Sequence, residues 1–135
     1  MDDIQKLTNL AENYSVFELS DNYLAKNPKK VSNILNENNY TSDDCILILR
    51  TILNKSKRLL KIKNQTDNNI NIEQILNTYK PPIFWKEKEI VKKQAQSWTT
   101  NEVKNIIYEI SNLEIIVKKN TENSLNFVSD FVSNY

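Results

Sequence analysis

Glycine is missing from this chain: none occurs in 135 residues, where average usage would place roughly nine or ten. Without it there is no Walker P-loop, no G-x-G-x-x-G dinucleotide turn and no G-x-S-x-G nucleophile elbow, because each relies on glycine conformations. Histidine is absent too. That removes the commonest general base and metal ligand, and with it the Ser-His, Cys-His and H-E-x-x-H arrangements. One cysteine, Cys45, excludes a disulfide framework and a Cys-rich zinc site. The longest apolar run, Cys45 to Leu49, is too short to span a membrane. The acidic start at Asp2 and Asp3 is not expected to serve as a signal peptide. Neither sign of charge dominates, with 18 basic and 17 acidic residues.

Asparagine, isoleucine and lysine fill the space instead, at 21, 16 and 16 residues. Their codons are rich in A and T, so genome composition explains the bias without function, and most Asn and Lys are expected on a solvated surface. Low hydropathy alone would suggest disorder. The apolar residues recur at helical spacing, however, which points to a packed fold. At this length a chain forms about one domain and buries about two thirds of its unfolded surface. The spacing predicts a single all-α domain over 1–135, a bundle of seven or eight helices, with no internal repeat and no interdomain linker.

Ile4, Leu7, Leu10 and Ala11 form a first short stripe. Ser15 and Glu18 have capping-box spacing and are expected to open a helix carrying Phe17, Leu19 and Leu24. Asn27-Pro28 reads as an N-cap with proline at the first helical position. Thr41 to Asp44 start a long helix that should run to about Lys63, followed by a polar break over Asn64–Asn69. Ile72, Ile75 and Leu76 fit a short helix that Pro81-Pro82 ends. Phe84, Trp85, Ile90 and Val91 are placed on the next one. Thr99 and Glu102 then cap the clearest helix, striped by Val103, Ile106, Ile107, Ile110, Leu113 and Val117. Leu125, Val128, Phe131 and Val132 mark a last helix.

The long helix is apolar on two sides. Ile46, Leu49, Leu53 and Leu60 share one stripe, and Ile48, Ile52 and Leu59 lie nearly opposite. Such a helix is either central to its own core or sandwiched against another subunit. On the second reading Ile48, Ile52 and Leu59, with Phe131, form a subunit interface. Arg50, Lys57 and Lys61 line up between the stripes, within a segment to Lys63 that has six basic residues and no acid. They could meet nucleic-acid phosphates without sequence preference, or form a solvated face balanced by acids elsewhere. Glu114 precedes Lys118 by four residues, the favoured order for a helical ion pair. Glu109 with Glu114, and Glu87 with Glu89, supply paired carboxylates but no supporting catalytic residue. Cys45 reads as a small buried hydrophobe, and Phe84, Trp85 and Trp98 as core anchors.

The order of these motifs resembles the C-terminal (collar) domain of the delta subunit of bacterial DNA polymerase III, part of the sliding-clamp loader. "SVFELSDNYLAKNPKKVSNIL" is similar to the family's opening helices, and "CILILRTILNKSKRLLKIK" to its long helix with a basic end. The most specific stretch is "PPIFWKEKEIVKKQAQSWTTNEVKNIIYEISNLEIIVKKN". It joins a Pro-Pro-aromatic turn, a helix ending in Trp98, a threonine cap, and Glu114 four before Lys118. The likeness runs from about residue 4 to residue 132.

The resemblance implies a helical collar module, itself non-catalytic, in a complex with DNA-directed DNA polymerase activity. Its partners would be the ATPase (tau/gamma-like) and delta-prime-like clamp-loader subunits, and its place the bacterial cytoplasm at the replisome. The sliding clamp would be reached only through an N-terminal AAA-like module that is not in this sequence, so the chain is expected to be an excised piece. No cofactor, metal or membrane is implied. An aromatic before the last helix lies near the primer-template junction in some members, and Thr121 stands at that position here. Lys118 and Lys119 then offer contacts to the DNA backbone. A free-standing nucleic-acid binder using residues 50–63 is the alternative function.

Overall fold

The computed structural model describes residues 14–134, and the stripe from Ile4 to Ala11 lies outside them. Among the described residues there are seven α-helices and no strand. α1 covers residues 14–24, followed by α2 (Pro28–Glu37), α3 (Ser42–Asp67), α4 (Ile72–Thr78), α5 (Lys88–Ser97), α6 (Thr100–Lys119) and α7 (Ser124–Ser133). A 3₁₀ turn, Thr121–Asn123, joins α6 to α7.

α3 is the axis of the bundle. Its 26 residues span about 39 Å at 1.5 Å per residue. It packs on α4, α5, α6 and α7, most extensively on α6. Both of its apolar stripes are used: Ile48, Leu49, Ile52, Leu59 and Ile62 are all buried, while Ile46, Leu53 and Leu60 are half-buried against them. One continuous core joins these to Val16, Leu19 and Leu24 of α1, Val103, Ile110 and Val117 of α6, and Val128 and Val132 of α7.

The start signals hold in most places. Thr41 forms a capping box with Asp44, and Thr99 one with Glu102. Asn27 precedes Pro28 at the start of α2, although its side-chain oxygen accepts no helix N–H and its amide donates to Asn22 Oδ1. Three expectations need correction. Tyr14 is already helical, so Ser15 sits inside α1 and accepts a hydrogen bond from the Tyr40 hydroxyl at 3.0 Å. α3 continues through the polar stretch to Asp67, because no proline interrupts it and asparagine is only mildly unfavourable in a helix. Phe84 and Trp85 precede α5 instead of lying on it, and both rings are exposed.

Helices without glycine must end by other means, and two devices serve here. At the ends of α1 and α3, Lys26 (φ 54°) and Asn69 (φ 65°) take the left-handed position usually given to glycine. Both turns carry the paired Schellman bonds. The amides of Asn27 and Lys26 reach the carbonyls of Asn22 and Tyr23, and those of Ile70 and Asn69 reach Gln65 and Thr66. α2, α6 and α7 end in asparagine, at Asn38, Asn120 and Asn134. Each donates its side-chain amide to the carbonyl four residues earlier, at 2.8, 2.9 and 2.7 Å. Part of the asparagine expected as surface filler therefore satisfies carbonyls that a helix end leaves free.

Among the described residues, one buried side-chain polar group is left over. The Ser56 hydroxyl, on the core side of α3, has no hydrogen-bond partner among them. Such a group forfeits its hydration with nothing in return. Ser56→Ala removes it and improves helix propensity, so the variant should be more stable by about 1 kcal/mol, or about 4 °C in Tm. A thermal melt followed by circular dichroism checks the sign.

Candidate functional site

Four of the six basic residues on α3 hold the bundle together. Arg50 Nε meets Glu114 Oε1 of α6 at 2.8 Å, Lys55 meets Asp21 of α1 at 2.8 Å, and Arg58 meets Glu87 beside α5 at 3.4 Å. Lys63 Nζ donates to the Ala95 carbonyl of α5 at 2.9 Å. The balancing acids expected from the near-zero net charge are thus inside the same domain, on three neighbouring elements. Lys57 and Lys61 remain on the exposed side of α3.

Glu114 collects two of the candidate DNA contacts. Its Oε1 also lies 3.6 Å from Lys118 Nζ, so the expected Glu114–Lys118 pair is a triad with Arg50. The Arg50 hydrogen bond, and secondarily the charges around it, hold the Glu114 carboxyl below the usual carboxylate range. A lowered folded-state pKa stabilises the fold above the unfolded carboxylate value, and that contribution disappears as pH falls through the folded value. Wild type should therefore lose more Tm than Glu114→Gln between pH 7 and pH 3, with a small difference because Arg50 is largely exposed. Lys119 is exposed in the last turn of α6. Arg50, Lys57 and Lys61 follow one line of α3, and Lys118 joins Arg50 only through Glu114.

The proposed subunit stripe lies inside the domain. Ile48 and Ile52 are 0% exposed and Leu59 is 1% exposed, so they present no surface to another chain. Phe131 is half-buried, with its ring 5.2 Å from Tyr23 in a stacked pair. Cys45 is buried as expected, and burial pushes its thiol pKa up to about 11, well away from a nucleophilic thiolate. Trp98 is the core anchor among the three aromatics singled out, while Phe84 and Trp85 are not. Thr121 is exposed at the start of the 3₁₀ turn, beside Glu122.

The exposed apolar features include two that differ from the sequence expectation. The first is the ring pair Phe84–Trp85, with centroids 5.9 Å apart and Lys86 Nζ 5.4 Å from the Trp85 ring. The second is the outer side of α6, where Tyr108 is 71%, Ile115 56% and Ile116 42% exposed. A wheel drawn for α6, as for α3, puts Tyr108 and Ile115 opposite the core stripe and was the available signal. Ile116 leads from that side into a groove of about 350 Å³ between α6 and α7, floored by Leu113, Phe127 and Phe131. A larger cleft near α1 contains Lys55, Asp21, Arg58 and Glu87, whose charges are spent on each other.

Among the described residues, no three acids or cysteines come together as a metal site, and no helix is long and apolar enough to cross a membrane. No curated protein and no solved structure compared with the chain gives a significant match. A family model does, over residues 13–135: DNA polymerase III delta subunit, C-terminal domain. It spans every described helix, including the Pro-Pro-aromatic turn, Trp98 and the Glu114–Lys118 pair, and the chain therefore belongs to the family formed by the C-terminal domain of the DNA polymerase III delta subunit.

Proposed function

We propose that this domain is a non-catalytic assembly module, holding a delta subunit among the collar domains of the clamp loader during DNA replication. Family membership makes it a clamp-loader component. The observation that carries the finer reading is the apolar outer side of α6, Tyr108, Ile115 and Ile116, left outside the one core that the described helices share. Exposed apolar residues grouped on one helix face mark a surface that associates with protein. ATPase-type and delta-prime-type subunits are the partners to test. Purified chain mixed with their collar domains at micromolar concentration should elute earlier from a sizing column than either alone. Unchanged elution counts against the assembly role. The cytoplasm is the compartment this role requires.

Contact with DNA is a second reading, favoured by the exposed Phe84–Trp85 pair among Lys80, Lys86 and Lys88. Aromatic faces stack on unpaired bases while lysines meet phosphates. Lys57, Lys61 and Lys119 add exposed positive charge, whereas Arg50 and Lys118 would first have to leave Glu114. Salt-dependent binding of a primer-template with a single-stranded overhang, weakened by Trp85→Ala, is the expected result. Undetectable binding by the wild-type chain removes this reading and leaves the assembly role standing.

A further inference from the structure

The groove between α6 and α7 has a charge pattern as well as an apolar floor. Leu113, Phe127 and Phe131 form the floor, exposed Ile116 lines its edge, and Glu109 and Asp130 stand exposed at its rim with Asn112 and Asn134. Neither rim acid has an ion-pair partner among the described residues, whereas Glu114, Asp21 and Glu87 are paired with bases of α3. An apolar channel between two helices accepts the apolar face of a third, read as anchors at i, i+3, i+4 and i+7. The rim decides what flanks those anchors, because opposite charges steer and align while like charges repel.

We infer that this groove receives an amphipathic helix of a neighbouring clamp-loader protein, with lysine or arginine flanking its apolar anchors. The inference rests on the assembly role proposed above and names the chemistry of its partner. Two other occupants fit the charge poorly. A second copy related by a two-fold axis would bring Glu109 and Asp130 towards their own equivalents, acid against acid. The amphipathic stripe at residues 4–11 of this chain sits among Asp2, Asp3 and Glu12 with only Lys6 to offset them.

The test uses the 135-residue chain and the collar domain of the ATPase-type subunit, with the dissociation constant measured by titration calorimetry. Ile116→Lys should weaken binding at least tenfold, and the double variant Glu109→Lys, Asp130→Lys by a comparable factor. Wild-type affinity should fall as salt rises, and this salt dependence should flatten or reverse in the double variant. These positions are exposed, so circular dichroism melts should stay close to wild type and separate lost binding from lost folding. A wild-type complex unaffected by either variant overturns the groove and leaves the assembly role intact. No wild-type complex at all overturns the assembly role itself. Self-association that Ile116→Lys abolishes assigns the groove to a second copy and overturns the basic partner helix.

Discussion

Ile48→Lys should unfold the domain. Ile48 has no exposed surface and sits in the N-terminal third of α3, among core residues contributed by several other helices. A lysine there would bury an ammonium, and none of the described core residues is an acid that could meet it. An uncompensated buried charge costs several kcal/mol, and large losses of 4–5 kcal/mol or more come from mechanisms of this kind. Domains are stable by only about 5–15 kcal/mol in total. The expected result is a chain with little helical circular dichroism at 25 °C, or a Tm at least about 15 °C below wild type. Ile48→Val keeps the core apolar and should cost about 1 kcal/mol, which separates site sensitivity from charge burial. A folded Ile48→Lys chain that has lost only its partner would return Ile48, Ile52 and Leu59 to a subunit interface.

The two-stripe pattern of α3 was legible, and its meaning was not. Periodicity shows how many sides of a helix are apolar, but not whether one partner comes from the same chain or another. α3 is covered on both sides because helices from distant parts of the chain pack around it, and that arrangement depends on long-range packing. The all-α class, the two threonine caps and the core stripe of α6 were readable because each is set by residues within a few turns. Ser15 shows the limit of the same logic. Its spacing to Glu18 satisfies a capping box, yet helix already surrounds it and its hydroxyl serves Tyr40, 25 positions away.

The candidate surfaces divide in the same way. The Glu114–Lys118 pair is local and present, whereas Arg50, Lys55 and Arg58 pair with acids 64, 34 and 29 positions distant. No sequence window joins those. Hydrophobicity favoured the core for Phe84 and Trp85, but their short segment between Pro82 and α5 leaves both rings outside it. The acidic rim of the α6–α7 groove likewise appears only when Glu109 and Asp130 are brought to the same opening.

Trp98→Ala should have the second largest effect on stability, and its neighbourhood explains why glycine can be spared. The indole lies buried at the α5–α6 junction and donates its Nε1 proton to the Leu24 carbonyl at 2.6 Å. Leu24 ends α1, just before the left-handed turn at Lys26. Lys26 Nζ sits 4.2 Å from the centre of the same indole, and Tyr23 lies beside it at 6.0 Å. A left-handed residue other than glycine is strained, so contacts elsewhere must hold it in place. Truncation to alanine opens a large cavity and strands the Leu24 carbonyl, for a loss of about 4 kcal/mol and a Tm lower by roughly 15 °C. Trp98→Phe keeps most of the volume and loses the indole donor, so about 1–2 kcal/mol is expected. The contribution of Lys26 can be measured separately. In a double-mutant cycle, Lys26→Met with Trp98→Phe should show a coupling of about 0.5–1 kcal/mol, the range of a partly exposed cation–π contact. Zero coupling would mean that the indole supports α1 through its hydrogen bond and packing alone.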